Sequence, residues 1–262
     1  LPLFQTIGYS FTDYNGINPK KEFTGLTNYF DVFQDKWFYN SMAFTGKSVL
    51  LMILLANVLG FLLALALNTK IRSRNILRAI VFCPFVFNNV TVGFIWQFLL
   101  GRFMTDLYPL TGWKVFNIGW LSDNSLVLYS VVFVKLWQSI GYFMVIYLAG
   151  LQLLPQDPLE AAVIDGCTGI KMIRYITIPL MKPTAFVCIF LAITESLNMF
   201  PLIMSLTNGG PGHASENISL YIYNEAFKSH RMGYASALAV ILTIIMTIIA
   251  GLQMKLTRED AG

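Results

Sequence analysis

Two charged side chains stand alone in otherwise apolar stretches of this 262-residue chain: Lys135 within residues 126–150 and Glu195 within residues 183–206. Polar neighbours surround them at helical spacing. Glu195 and Asn198 are i and i+3, and Lys135, Gln138 and Tyr142 fall at i, i+3 and i+7, so each set shares one face of a continuous helix. Asn88 and Asn89 lie in the middle of a third apolar stretch, residues 79–100, after Pro84. Charges in such surroundings are expensive and face a cavity or a partner. Two chemistries fit. Amides and carboxylates hydrogen-bond the hydroxyls of a sugar while aromatic faces stack on its apolar side. The same groups also bond helix to helix, and Lys135 with Glu195 can form an ion pair inside the membrane.

Other chemistry is missing from the pattern. No Ser/His/Asp or paired-carboxylate constellation exists that would do hydrolysis, so no residue is assigned as catalytic. His213 and His230 have no cysteine near them, which gives no metal site. Cys83, Cys167 and Cys188 are odd in number and scattered, so they make no disulfide framework. Thr45-Gly46-Lys47-Ser48 looks like the end of a phosphate-binding loop, but Ser41 stands where that motif needs glycine.

The elements that position these groups follow from composition. The chain is 56% hydrophobic and 12% charged, against about 25% charged in a soluble domain, and its mean hydropathy is +0.61. It reads as an integral membrane protein. Without a Lys/Arg stripe interleaved with aromatics, nucleic acid is excluded as a partner. A spanning helix needs about 20 apolar residues. Residues 48–67, 79–100, 126–150, 183–206 and 233–254 each qualify, and residues 1–10 read as the end of a first helix, for six spans. The loop 68–78 holds Lys70, Arg72, Arg74 and Arg78 and no acid, which places it in the cytoplasm. Alternation then puts 151–182 inside and 101–125 and 207–232 outside. No loop is long enough for a second folded domain, so residues 1–262 read as one transmembrane domain.

The segment 155–183, PQDPLEAAVIDGCTGIKMIRYITIPLMKP, is the most distinctive. Asp157 suits an N-cap, Pro158 the first helical position, and Glu160 completes a capping box. Gly166 is placed to end that helix in a left-handed conformation. A second helical turn from about Ile170 to Thr177 must stop before Pro179. Two short helices joined at a glycine make a compact knob, and a plain interfacial connector fits the same features.

Glu160-Ala161-Ala162, then Asp165-Gly166, then Ile176-Thr177-Ile178-Pro179 resembles the EAA loop of permease subunits of bacterial ABC importers. Gly25-Leu26-Thr27-Asn28-Tyr29, Leu148-Ala149-Gly150-Leu151-Gln152 and Thr207-Asn208-Gly209-Gly210-Pro211 are similar to its carbohydrate branch, typified by the larger maltose permease subunit and its glycerol-phosphate counterpart. The resemblance implies an all-α, polytopic transmembrane bundle in a bacterial cytoplasmic (inner) membrane. It further implies a second homologous permease, two cytoplasmic ATPase subunits that bind ATP and Mg, and an extracellular or periplasmic solute-binding protein. On this reading the chain holds no cofactor and is not itself an enzyme, and its cargo is a carbohydrate. Glu160, Ala161, Ala162, Asp165 and Gly166 would form the ATPase-coupling helix and its turn. Glu195, Asn198, Gln138, Tyr142 and Asn89 are the candidates for the substrate pathway. Pro201 departs from the family, which often has Asp there. A non-sugar solute such as a glycerol phosphate diester is the alternative cargo. An ion-coupled secondary transporter, with Glu195 and Lys135 as relay, is the rival class, and it has no need of a helix–glycine–helix loop.

Overall fold

The structure, a computed structural model, describes residues 2–18, 20–69 and 72–259. Leu1 and Lys70 lie outside the described residues. Among those described, regular structure is helical, apart from an isolated antiparallel bridge between Thr12 and Phe23.

Apolar runs free of proline fold as unbroken helices. After α1 (Pro2–Ser10) and α2 (Thr27–Gln34), the run 48–67 lies inside α3 (Lys36–Leu67). Run 126–150, but for Leu126, and run 233–254 lie inside long helices in the same way, Val127–Gln152 and Met232–Glu259. These three are long and apolar enough to cross a membrane. The two runs that contain an internal proline are broken, which corrects the expectation of continuous spans. In the first, α4 (Arg74–Phe82) gives way to a 3₁₀ turn at Cys83–Val86, and helix resumes at Asn89 as α5 (Asn89–Gln97). Pro84 lacks the N–H that would continue the ladder. The Phe87 carbonyl exposed at this break accepts from Gln138 Nε2 at 2.9 Å. A π turn (Phe98–Phe103) leads on into α6 (Met104–Thr111), which is followed by α7, the Val127–Gln152 helix.

The loop 155–183 starts as α8 (Gln156–Ile164). Its N-cap is Pro155, extended at φ −62° and ψ 138°, and no side chain caps it. The expected capping box at Asp157 and Glu160 is therefore not formed; Asp157 lies in the first turn, where its charge favours the positive end of the helix dipole. The expected stop at Gly166 is present. Gly166 sits at φ +75°, its N–H bonds Val163 O at 3.0 Å, and Cys167 N–H bonds Ala162 O at 2.8 Å. That pair of bonds is a Schellman closure, which requires a left-handed residue between them. The second helix runs further than expected. It comprises α9 (Ile170–Met172), a π turn over Ile173–Thr177 and α10 (Ile178–Leu180), and it passes through Pro179. In the π turn the N–H of Ile178 reaches back five residues to Ile173 O, so the four-residue register that proline blocks is not in use there.

The second broken run begins with α11 (Lys182–Leu197), turns at Asn198 and Met199, and resumes as α12 (Phe200–Leu206). Pro201 cannot donate to Leu197, four residues back. The Leu197 carbonyl accepts instead from Ser219 Oγ at 3.3 Å. Broken helices persist at membrane depth when neighbouring side chains satisfy the freed backbone in this way. Finally come α13 (Ile218–Tyr223), capped by the Asn217 side chain and extended by a π turn to Lys228, and α14, the Met232–Glu259 helix.

The chain divides into two compact units. One comprises the chain up to Ser48, Asn89–Val132 and Ser196–Leu252. Its core packs Val32, Phe38, Ile218, Tyr221, Tyr234 and Leu238. The other comprises Val49–Asn88, Phe133–Glu195 and the chain from Gln253 on. Phe143 and Met144 are fully buried there, and α7 meets α4 at Gly141, where a Cβ would lie 2.2 Å from Val81 O. Only glycine fits that approach.

A candidate sugar cavity and a candidate coupling loop

The break in the 183–206 run opens a cavity of about 520 Å³ in the first unit. Asn198 in the turn and Asn89 at the start of α5 place two amides in its wall. Phe200, Tyr223 and Phe227 supply rings, with centroids 5.2 Å apart for Phe200–Tyr223 and 5.1 Å for Tyr223–Phe227. Ser219 adds a hydroxyl, and no lining residue is charged. Mostly apolar walls, aromatic rings and a few convergent polar groups are what a hydroxyl-rich, uncharged ligand needs. Sequence reasoning named Asn89 and Asn198 but not Phe200, Tyr223 or Phe227. The aromatic spacing across residues 223–227 was the available signal, and only the turn at Pro201 brings it beside the two amides.

The other pathway candidates lie in the second unit. Lys135 Nζ and Glu195 Oε2 are 2.6 Å apart, with side-chain exposures of 3% and 26%. Gln138 donates to the backbone at the break after Pro84, while its Oε1 is buried without a partner. Tyr142 stacks on Phe85, centroids 4.5 Å apart and planes within 3°. Glu195 and Asn198 do not share a helical face as expected. The helix ends between them, so the charge pairs with Lys135 in one unit while the amide lines a cavity in the other.

In the loop, Glu160, Ala161, Asp165 and Gly166 are exposed. Ala162 is buried within the chain, with 6% exposure, and so is not available to a partner as expected. The sequence reading missed the apolar part of the surface: Val163 and Ile164 are 55% and 85% exposed beside the turn. Their position off the inward-facing stripe of α8 was the available signal.

The family described as "Binding-protein-dependent transport system inner membrane component" matches residues 56–258. The chain is 36% identical, over 99% of its length and 88% of the relative's, to the "Probable starch degradation products transport system permease protein AmyD" of Thermoanaerobacterium thermosulfurigenes. It is 33% identical, over 98% and 89%, to the "Multiple sugar-binding transport system permease protein MsmF" of Streptococcus mutans. In fold it resembles a bacterial ABC transporter involved in the import of the acidic polysaccharide alginate, with a TM-score of 0.81, 21% identity and coverage of 98% and 89%. The helical architecture, its apolar spans and these matches agree, and the chain belongs to the binding-protein-dependent transport system inner membrane components, the permeases of ABC importers.

Proposed function

We propose that this permease forms half of the translocation pathway of an ATP-driven importer whose cargo is a neutral oligosaccharide. The observation that carries this reading is the uncharged cavity of amides and rings at Asn89, Asn198, Phe200, Tyr223 and Phe227. Amides exchange hydrogen bonds with successive hydroxyls, and ring faces take the apolar side of a pyranose. A glycerol phosphate diester needs a cation, and none lines this cavity. Lys135 is engaged by Glu195, which leaves the rival ion-relay reading without an unpaired charge at that pair. The relatives' names, for starch degradation products and multiple sugars, point the same way.

The proposed partners are those that the resemblance to ABC importer permeases implies. A second, homologous permease completes the pathway, and a solute-binding protein delivers sugar at the outer face. Two ATPase subunits hold and hydrolyse ATP with Mg, so this chain is not the enzyme. The knob formed by α8 and the Gly166 turn docks into them and transmits their closure. The test is uptake by the assembled transporter in proteoliposomes with loaded binding protein. Asn198→Leu and Tyr223→Ala each remove a contact worth about 1 kcal/mol, so each should lower uptake at sub-saturating sugar about fivefold with assembly intact. Unchanged uptake in both variants would overturn the cavity's role.

A further inference from the structure

A second cavity, also about 520 Å³, lies in the other unit, and its character is opposite. Its wall is almost entirely hydrocarbon: Val58 and Leu62 of α3, Ile170 and Ile173 of the second loop helix, and Ala185 of α11. The two polar side chains that reach it are already satisfied. Tyr147 Oη donates to Asn57 Oδ1 at 2.6 Å, and Asn57 Nδ2 donates to Ile53 O at 2.6 Å. Such a space has nothing to offer water or a sugar. It is open, since Val58, Leu62 and Ile170 are 47%, 53% and 83% exposed.

Charged residues adjoin two of these lining residues in sequence. In the loop 155–183 every acid (Asp157, Glu160, Asp165) precedes the Gly166 turn or adjoins it, and every base (Lys171, Arg174, Lys182) follows it. Lys171 and Arg174, three apart, are exposed beside Ile170 and Ile173. Among the described residues neither has a carboxylate within ion-pair distance. An interfacial helix with an apolar face and a basic edge binds anionic lipid surfaces. The acidic half of the loop and its basic half therefore suit different neighbours. We propose that this cavity holds one acyl chain of an acidic phospholipid whose phosphate is bound by Lys171 and Arg174. This goes beyond the transport reading and does not depend on the identity of the cargo.

The test uses the assembled transporter, delipidated in detergent and then offered phosphatidylglycerol or phosphatidylcholine, with bound lipid counted by native mass spectrometry. Two surface charges give phosphatidylglycerol roughly a tenfold or greater advantage. Lys171→Gln with Arg174→Gln should erase that preference, and Ala185→Phe, which fills the cavity, should lower retention of both lipids. Equal retention of the two lipids by the unmodified transporter, or unchanged preference in the double variant, overturns the proposal. A conservative probe covers the case in which those variants fail to assemble. Val58→Cys should react with a membrane-soluble maleimide and be protected by added phosphatidylglycerol. Cross-linking of that cysteine to the second permease or to an ATPase subunit shows a protein in the cavity and overturns the lipid assignment.

Discussion

At the residue scale the decisive pair is Lys135 and Glu195. Both stood out in the sequence as lone charges in apolar stretches, and an ion pair between them was one of the readings open. What the spacing could not show was which neighbour Glu195 keeps. The i, i+3 relation to Asn198 holds only if helix continues past Leu197, and Pro201 prevents it. With Nζ and Oε2 2.6 Å apart and the lysine buried, each charge makes the other tolerable. Glu195→Gln retains the shape but removes the opposite charge that faces the ammonium. Breaking a buried pair costs about 3–5 kcal/mol, and the value expected here is about 3 because Glu195 is still 26% exposed. A double variant, Lys135→Met with Glu195→Gln, should recover most of that loss. Thermal unfolding of the purified transporter reads both changes. Loss of sugar uptake in Glu195→Gln with no change in stability would instead place Glu195 in the pathway.

At the scale of elements, the Gly166 turn was legible because its requirement is local: a helix of suitable length, then glycine, then the two closing bonds. The capping box was not, since Pro155 takes the extended cap position ahead of Asp157 and starts the helix at Gln156. Nor was the passage through Pro179, because a π turn leaves no trace in hydrophobic spacing. Nothing lies within 4 Å of a Cβ built on Gly166, so substitutions there act through backbone conformation alone. A graded series should follow. Gly166→Asn tolerates φ > 0 and should be nearly neutral. Gly166→Ala should cost about 1–2 kcal/mol, and Gly166→Val more, since a β-branched residue is an outlier at that φ. If the turn aims α8 at the ATPase, stimulation of ATP hydrolysis by loaded binding protein should fall in the order Asn, Ala, Val. Full stimulation in the valine variant would sink the coupling assignment.

At the scale of the whole molecule, composition alone established a membrane protein, and three of the runs of apolar residues located the helices long and apolar enough to cross a membrane. The cavity proposed for sugar was out of reach of any such reading, because its wall draws on Asn89, on residues between 197 and 201 and on residues between 219 and 227, which meet only through a break in a helix. The same is true of the hydrogen-bonded anchor at Asp35, just before α3, that ties together elements of the first unit. Asp35 accepts a hydrogen bond from the Trp37 N–H at 2.8 Å as α3 begins. Its other oxygen accepts from the hydroxyls of Tyr221 on α13 and Tyr234 on α14, the latter at 2.5 Å. Burial works against the charge on Asp35, but the bonds from Tyr221, Tyr234 and the backbone N–H groups of Trp37 and Phe38 together outweigh it and hold the carboxyl below its ordinary 3.8. An acid that folding makes stronger contributes its full stabilisation above its unfolded value and loses it as pH falls through the folded one. The tie between α3 and α13 should therefore weaken only below about pH 3.8. Glu225 acts with the opposite sign, since burial raises it despite Arg231 nearby, so a bulk acid-unfolding curve mixes the two. Hydrogen-exchange protection of the α13 amides in the assembled transporter isolates Asp35. It should hold steady down from neutral pH and then fall in the unmodified chain. In Asp35→Asn it should begin lower and stay flat across the same range, because the amide has no charge to lose. An acid-range fall of equal size in the asparagine variant would mean that another group holds α13 against the start of α3.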